Sequence, residues 1–154
     1  MAPGLEFPIT TGTWRPSGAL SFFIPLLIGT GGNAGSQTVT TSIRAMALGE
    51  IRLREAWRVL AREASIGAVI GVLIAAVAFG RALLWGSTMS LALTVSISVL
   101  AICARSPTIG SLIPLMAHRF RIDPAVLSAP LIATLVDATG LVIYFSIAKI
   151  VLHL

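Results

Sequence analysis

Charge is what this sequence has least of. Asp, Glu, Lys and Arg make up 11% of its 154 residues, against about 25% in soluble domains. With 56% hydrophobic residues and a mean hydropathy of +0.94, that scarcity excludes a water-soluble fold, which would have to show its apolar surplus to solvent. Disorder is excluded by the same figures, because it requires low hydrophobicity and high charge. A single cysteine, Cys103, closes no intrachain disulfide and has no base near it in sequence. The two histidines, His118 and His153, are isolated, with no HExxH pattern or Cys/His cluster. The glycine-rich stretch GTGGNAGSQ lacks the lysine of a phosphate-binding loop. Only one acid lies within an apolar span, so an intramembrane aspartyl protease, which needs two carboxylates sharing a site, is excluded. No enzyme activity is expected.

What is present is a set of long apolar runs. No charge occurs from Pro16 to Ile43, from Ala64 to Gly80 or from Ala82 to Ala104, and from Pro124 to Ala148 there is only Asp137. A membrane crossing needs about 20 mostly apolar residues. The layout predicts an all-α, polytopic membrane protein with four transmembrane helices, at about 19–48, 64–84, 88–117 and 124–152. Residues 1–18 read as a polar lead-in, without the basic region of a cleavable signal peptide.

The arginines set the orientation. Arg44, Arg52, Arg54, Arg58 and Arg62 crowd the first linker, and Arg119 and Arg121 the third, whereas the second has Arg81 alone. Four spans put both rich linkers on one side, which the positive-inside rule makes cytoplasmic. This explains the formal net charge of +5 without a nucleic-acid partner. Both termini then lie outside, and an external N-terminus without a signal leads us to expect an earlier helix absent from this chain. Glu50–Glu63 has apolar residues at Leu53, Ala56, Trp57 and Leu60 with Arg54, Arg58 and Arg62 at every fourth position. That spacing predicts a short amphipathic helix lying at the interface. Trp85 beside Arg81 fits an aromatic belt.

The first span breaks pattern in its middle, Gly29-Thr30-Gly31-Gly32-Asn33-Ala34-Gly35-Ser36-Gln37. Each glycine costs a helix about 1 kcal/mol relative to alanine. Irregular backbone at membrane depth survives only when buried in protein or lining a wet cavity. An irregular pore or site wall is expected here, with close helix packing through the Gly31-x-x-x-Gly35 pair as the alternative. Gly67 and Gly71 in the second span read as packing residues. Pro107, Gly110 and Pro114 should kink or tilt the third, about 45 Å long as straight helix.

Asp137 stands alone in the middle of the fourth span. An aspartate there costs about 2.5–3.5 kcal/mol on insertion scales, which makes it a functional-site candidate by default. Ala133 and Gly140 share its helical face, with Thr134 adjacent, leaving room for a hydrated ion. A carboxylate suits a hard cation, and magnesium keeps its waters. Two chains meeting at a twofold axis would double the charge. Arg105, inside the third span, either snorkels or points outward, or pairs with Asp137 and neutralises it.

Two stretches carry a family resemblance. Pro25 to Gln37 followed by Arg44-Ala45-Met46-Ala47-Leu48-Gly49-Glu50, and Asp123-Pro124-Ala125 followed by Ala129 to Leu141 and Tyr144, resemble the MgtE family of magnesium transporters, from about Ser21 to Leu152. The resemblance implies an MgtE-like transmembrane domain over 19–154 and a homodimeric channel or transporter in the inner cell membrane, with magnesium as the transported ion and no other cofactor. It implies that Asp137 binds the hydrated ion, that Ala133 lies along the same pore, and that Gly32 and Asn33 belong to the irregular wall opposite. Ala129, Thr134, Gly140, Gly35 and Pro25 are the remaining expected pore-lining positions, and membrane lipid and divalent cations the remaining partners. The resemblance implies a transmembrane domain of five helices, of which we expect the first, together with the family's soluble regulatory parts, to have no counterpart in this sequence. Ala129 stands where many members place an asparagine, and Arg105 and Pro107 replace residues usually apolar or amide-bearing. The alternative function is a non-conducting remnant or scaffold subunit with Asp137 tied to Arg105.

The orientation has a direct test. In a Cys103→Ala background, Ser87→Cys should react with a membrane-impermeant maleimide on intact cells, and Gly49→Cys only after permeabilisation. The opposite pattern inverts the topology.

Overall fold

The structure, a computed structural model, describes residues 16–51, 53–122 and 129–153. Four long helices account for nearly all of them: α1 (Pro16–Ala47), α2 (Ala56–Leu84), α3 (Met89–Arg119) and α4 (Ala129–Val151). A 3-10 turn, Leu53–Glu55, precedes α2. Arg52, Asp123, Pro124 and most of the expected lead-in lie outside the described residues. α2, α3 and α4 are long and apolar enough to cross a membrane. The described residues thus form an all-helical fold, with three membrane-compatible helices among them. α1 has 32 residues, about 48 Å of helix, but its second half is too rich in Thr, Ser, Asn and Gln to qualify on hydropathy.

Two sequence expectations are corrected. The glycine-rich stretch is not irregular, because α1 runs unbroken through Gly29–Gln37. The separate amphipathic helix is likewise absent. From Ala56 onward its residues form the first turns of α2, which continues to Leu84. One helix keeps the backbone bonded throughout, whereas a break would leave orphan N–H and C=O groups needing caps. The fourth helix is described from Ala129 onward, and the expected start at 124 lies outside the described residues. α3 is continuous with both Pro107 and Pro114 inside it.

α3 is the helix on which the others assemble: α1, α2 and α4 all pack along it, and α1 also packs on α4. Small residues set each approach. A Cβ on Gly67 would strike the Cys103 carbonyl oxygen, and one on Gly71 would lie 2.9 Å from the Cys103 Cβ. Pro107 has no N–H to give the Cys103 carbonyl four residues back, so that oxygen is free to face the neighbouring helix, where Gly67 meets it. A Cβ on Gly110 would lie 2.5 Å from the Gly35 carbonyl oxygen. α1 and α3 are joined as well by the buried Ser42–Ser111 hydroxyl pair, 3.1 Å apart.

The interior divides into two apolar clusters. The larger gathers Leu20, Phe23 and Leu27 of α1, Ala75, Ala78 and Ala82 of α2, Val95, Val99 and Ile102 of α3, and Tyr144 and Ala148 of α4. Within it the Tyr144 hydroxyl donates to the Leu20 carbonyl at 3.0 Å. The smaller consists of Val39, Ile132 and Val136. Between them lies a belt of small residues including Gly31, Gly32, Gly35, Ser106 and Gly110. The outer surface carries exposed Val69, Leu73, Val77, Leu84, Val142 and Ile150, a coat of the kind that marks a membrane surface.

Tyr144→Phe should lower stability in detergent by about 1–3 kcal/mol, because the Leu20 carbonyl loses its buried donor. Gly67→Val should cost at least as much by forcing α2 off α3. Thermal unfolding followed by circular dichroism measures both.

Candidate functional site

Asp137 occupies the belt between the two clusters, midway along α4. Ile132, Val136 and Gly140 on its helix are buried against α1 and α3, which turns the carboxylate toward the α1–α4 seam. There it meets Gly32. A Cβ at Gly32 would lie 2.5 Å from Asp137 Oδ1 and 3.1 Å from Oδ2. Only a residue without a side chain leaves the carboxylate this position. The two neighbouring glycines set the same approach, since a Cβ on Gly31 would lie 2.7 Å from Ile102 Cγ2 and one on Gly35 2.8 Å from Val136 Cγ2.

Asp137 Oδ1 is buried and has no hydrogen-bond partner. An unpaired buried acceptor costs about 1–3 kcal/mol, and more when charged, and the described residues supply no donor to offset that cost at this oxygen. Arg105 does not fill that role: it is exposed on α3, and no ion pair forms between them. No group of three or more His, Cys, Asp or Glu side chains converges among the described residues. A dehydrated metal ion therefore has no protein cage there, whereas a cation that keeps its water needs only charge and acceptors.

The other expected site residues divide into four groups. Gly32 and half-buried Ala133 lie with Asp137 on α1 and α4. Gly35 and Gly140 are buried in helix contacts, where a Cβ on Gly35 would meet Val136 and one on Gly140 would lie 3.6 Å from Ile102 Cδ1. Half-buried Ala129 packs beside the smaller cluster. Pro25, Asn33 and Thr134 are exposed, and the Thr134 hydroxyl donates to the Pro130 carbonyl at 3.0 Å. Asn33 does not share the face of Gly32: one residue further along the helix, it lines a cleft between α1 and α2. Sequence reasoning missed that cleft, although the recurrence of Thr30, Asn33 and Gln37 at helical spacing signals a polar stripe.

An all-helical chain with three membrane-compatible helices and one unpaired acid held at helix depth has the makings of a multi-pass membrane protein that handles cations. Comparison with known proteins makes the class specific. The family model MgtE, described as divalent cation transporter, matches residues 24–147. The chain is 38% identical over 135 residues to the magnesium transporter MgtE of Thermus thermophilus, covering 88% of this chain and 30% of that protein. To the magnesium transporter MgtE of Bacillus subtilis it is 36% identical over 139 residues, with the same coverage of each. The Enterococcus faecalis protein of that name is 32% identical over 130 residues, covering 84% of this chain and 29% of its own. This chain belongs to the MgtE family, a family of transporters rather than enzymes. It spans about 30% of the length of the curated relatives it matches.

The fit of Gly32 to Asp137 predicts a coupled pair. Gly32→Ala should destabilise the chain, and much less so in an Asp137→Ala background. A coupling of about 0.5–3 kcal/mol is expected for residues in contact, read from thermal unfolding of the four variants.

Proposed function

We propose that this chain carries magnesium across the inner cell membrane, as a homodimer whose pore lies against α1 and α4. The observation that carries this reading is the buried, unpartnered Asp137 Oδ1 opposite Gly32. One carboxylate is a weak site for a divalent ion. Two, brought together at a twofold axis, double the charge that attracts the ion and offer acceptors to its water shell. Half-buried Ala133, one turn earlier on α4, is the small neighbour beside which that shell is accommodated. α1 then crosses the membrane despite its polar second half, with that polarity turned to water or protein rather than lipid. The membrane potential, worth about 2.3 kcal/mol per elementary charge per 100 mV, drives the cation inward.

The magnesium specificity named for the relatives supports the choice of ion. A non-conducting scaffold with Asp137 neutralised by Arg105 is the competing function, and it rests on an ion pair that the two side chains do not form.

Expression of the chain should rescue growth of a cell lacking its magnesium transporters, and Asp137→Ala should abolish the rescue at equal membrane abundance. Arg105→Ala should leave it intact. Undiminished rescue by Asp137→Ala rejects the site.

A further inference from the structure

A second polar region lies apart from Asp137. α1 and α2 both pack on α3 but not along each other, and a cleft of about 450 Å³ opens between them. α1 lines it with Thr30, Asn33, Gln37 and Thr38, α2 with Glu63 at one end and Ile66, Ile70 and Ile74 along an apolar wall, and Pro107 of α3 contributes to its floor. The side-chain amides of Asn33 and Gln37 have no hydrogen-bond partner among the described residues, and half-buried Glu63 has no ion-pair partner there.

The chemistry of this lining has a sign. The Thr30 hydroxyl donates to the Leu26 carbonyl at 2.7 Å, and that of Thr38 to the Ala34 carbonyl at 2.9 Å. Their protons are spent on the helix, which leaves both oxygens only acceptor capacity. The Glu63 carboxylate accepts only, and each amide has an acceptor oxygen. A metal-bound water shell points its hydrogens outward and is met best by such a wall. Six waters at about 30 Å³ each occupy roughly 180 Å³, which the cleft accommodates.

We propose that this cleft is a second cation site, in which Glu63 supplies the charge and Asn33, Gln37, Thr30 and Thr38 accept hydrogen bonds from the water shell of a hydrated divalent ion. The ion stays hydrated, because one carboxylate cannot replace its shell. The site is separate from Asp137, since Gly32 and Asn33 turn to different neighbours.

Manganese(II), titrated into the purified chain in detergent and followed by electron paramagnetic resonance, tests this. Asp137→Asn should keep a class of bound manganese that Glu63→Gln loses. Gln37→Leu, which retains the carboxylate, should weaken the same class about tenfold, the loss of one hydrogen bond to a charged group. Wild-type binding by Glu63→Gln overturns the proposal, as does loss of all bound manganese in Asp137→Asn. Should Glu63→Gln fail to fold, unchanged affinity in Gln37→Leu overturns it as well.

Discussion

The close approach of α1 to α3 and α4 is the constraint on which the rest of the molecule depends. It is made by glycine, and it determines where the one intramembrane acid can sit. Had Gly31 and Gly35 carried side chains, Ile102 and Val136 would stand further off, and the seam holding Asp137 would be wider and wetter. The helical propensity lost at these glycines, about 1 kcal/mol each, is set against contacts along three helices at once. In lipid the alternative of breaking the helix is worse, because no water satisfies the freed backbone groups.

That packing also explains how a carboxylate is tolerated at such depth. Apolar clusters above and below it hold the helices together without its help. Asp137 can remain unpaired because Tyr144, Val136 and Ile102 supply the packing that a salt bridge would otherwise have to supply. Freedom from structural duty is what leaves the oxygen without a partner among the described residues.

Most of the architecture was legible before any coordinates. Gaps between charges placed the helices to within a few residues at most ends, and the isolation of Asp137 marked it out. Two errors share one cause. The glycine run of α1 was expected to be irregular, and Glu50–Glu63 was expected to lie apart, because local propensity was weighed without the neighbours that override it. Gly32 and Asn33 were assigned to one wall although adjacent helical positions are about 100° apart, so one faces Asp137 and the other the cleft. Glu63 read as a solvated charge in a basic linker, and nothing in the linker indicated that the stripe on α1 would come to lie opposite it.

Composition and charge spacing by themselves determined that this is a helical membrane protein with a single acid in its apolar interior. The bilayer leaves few other solutions for a chain so poor in charge, and each apolar run is long enough to declare itself locally. Which glycines touch which helix, and whether Arg105 meets Asp137, only the tertiary structure decided. Those outcomes depend on the rotation of each helix about its axis, which is settled by the fit of facing side chains from distant parts of the sequence.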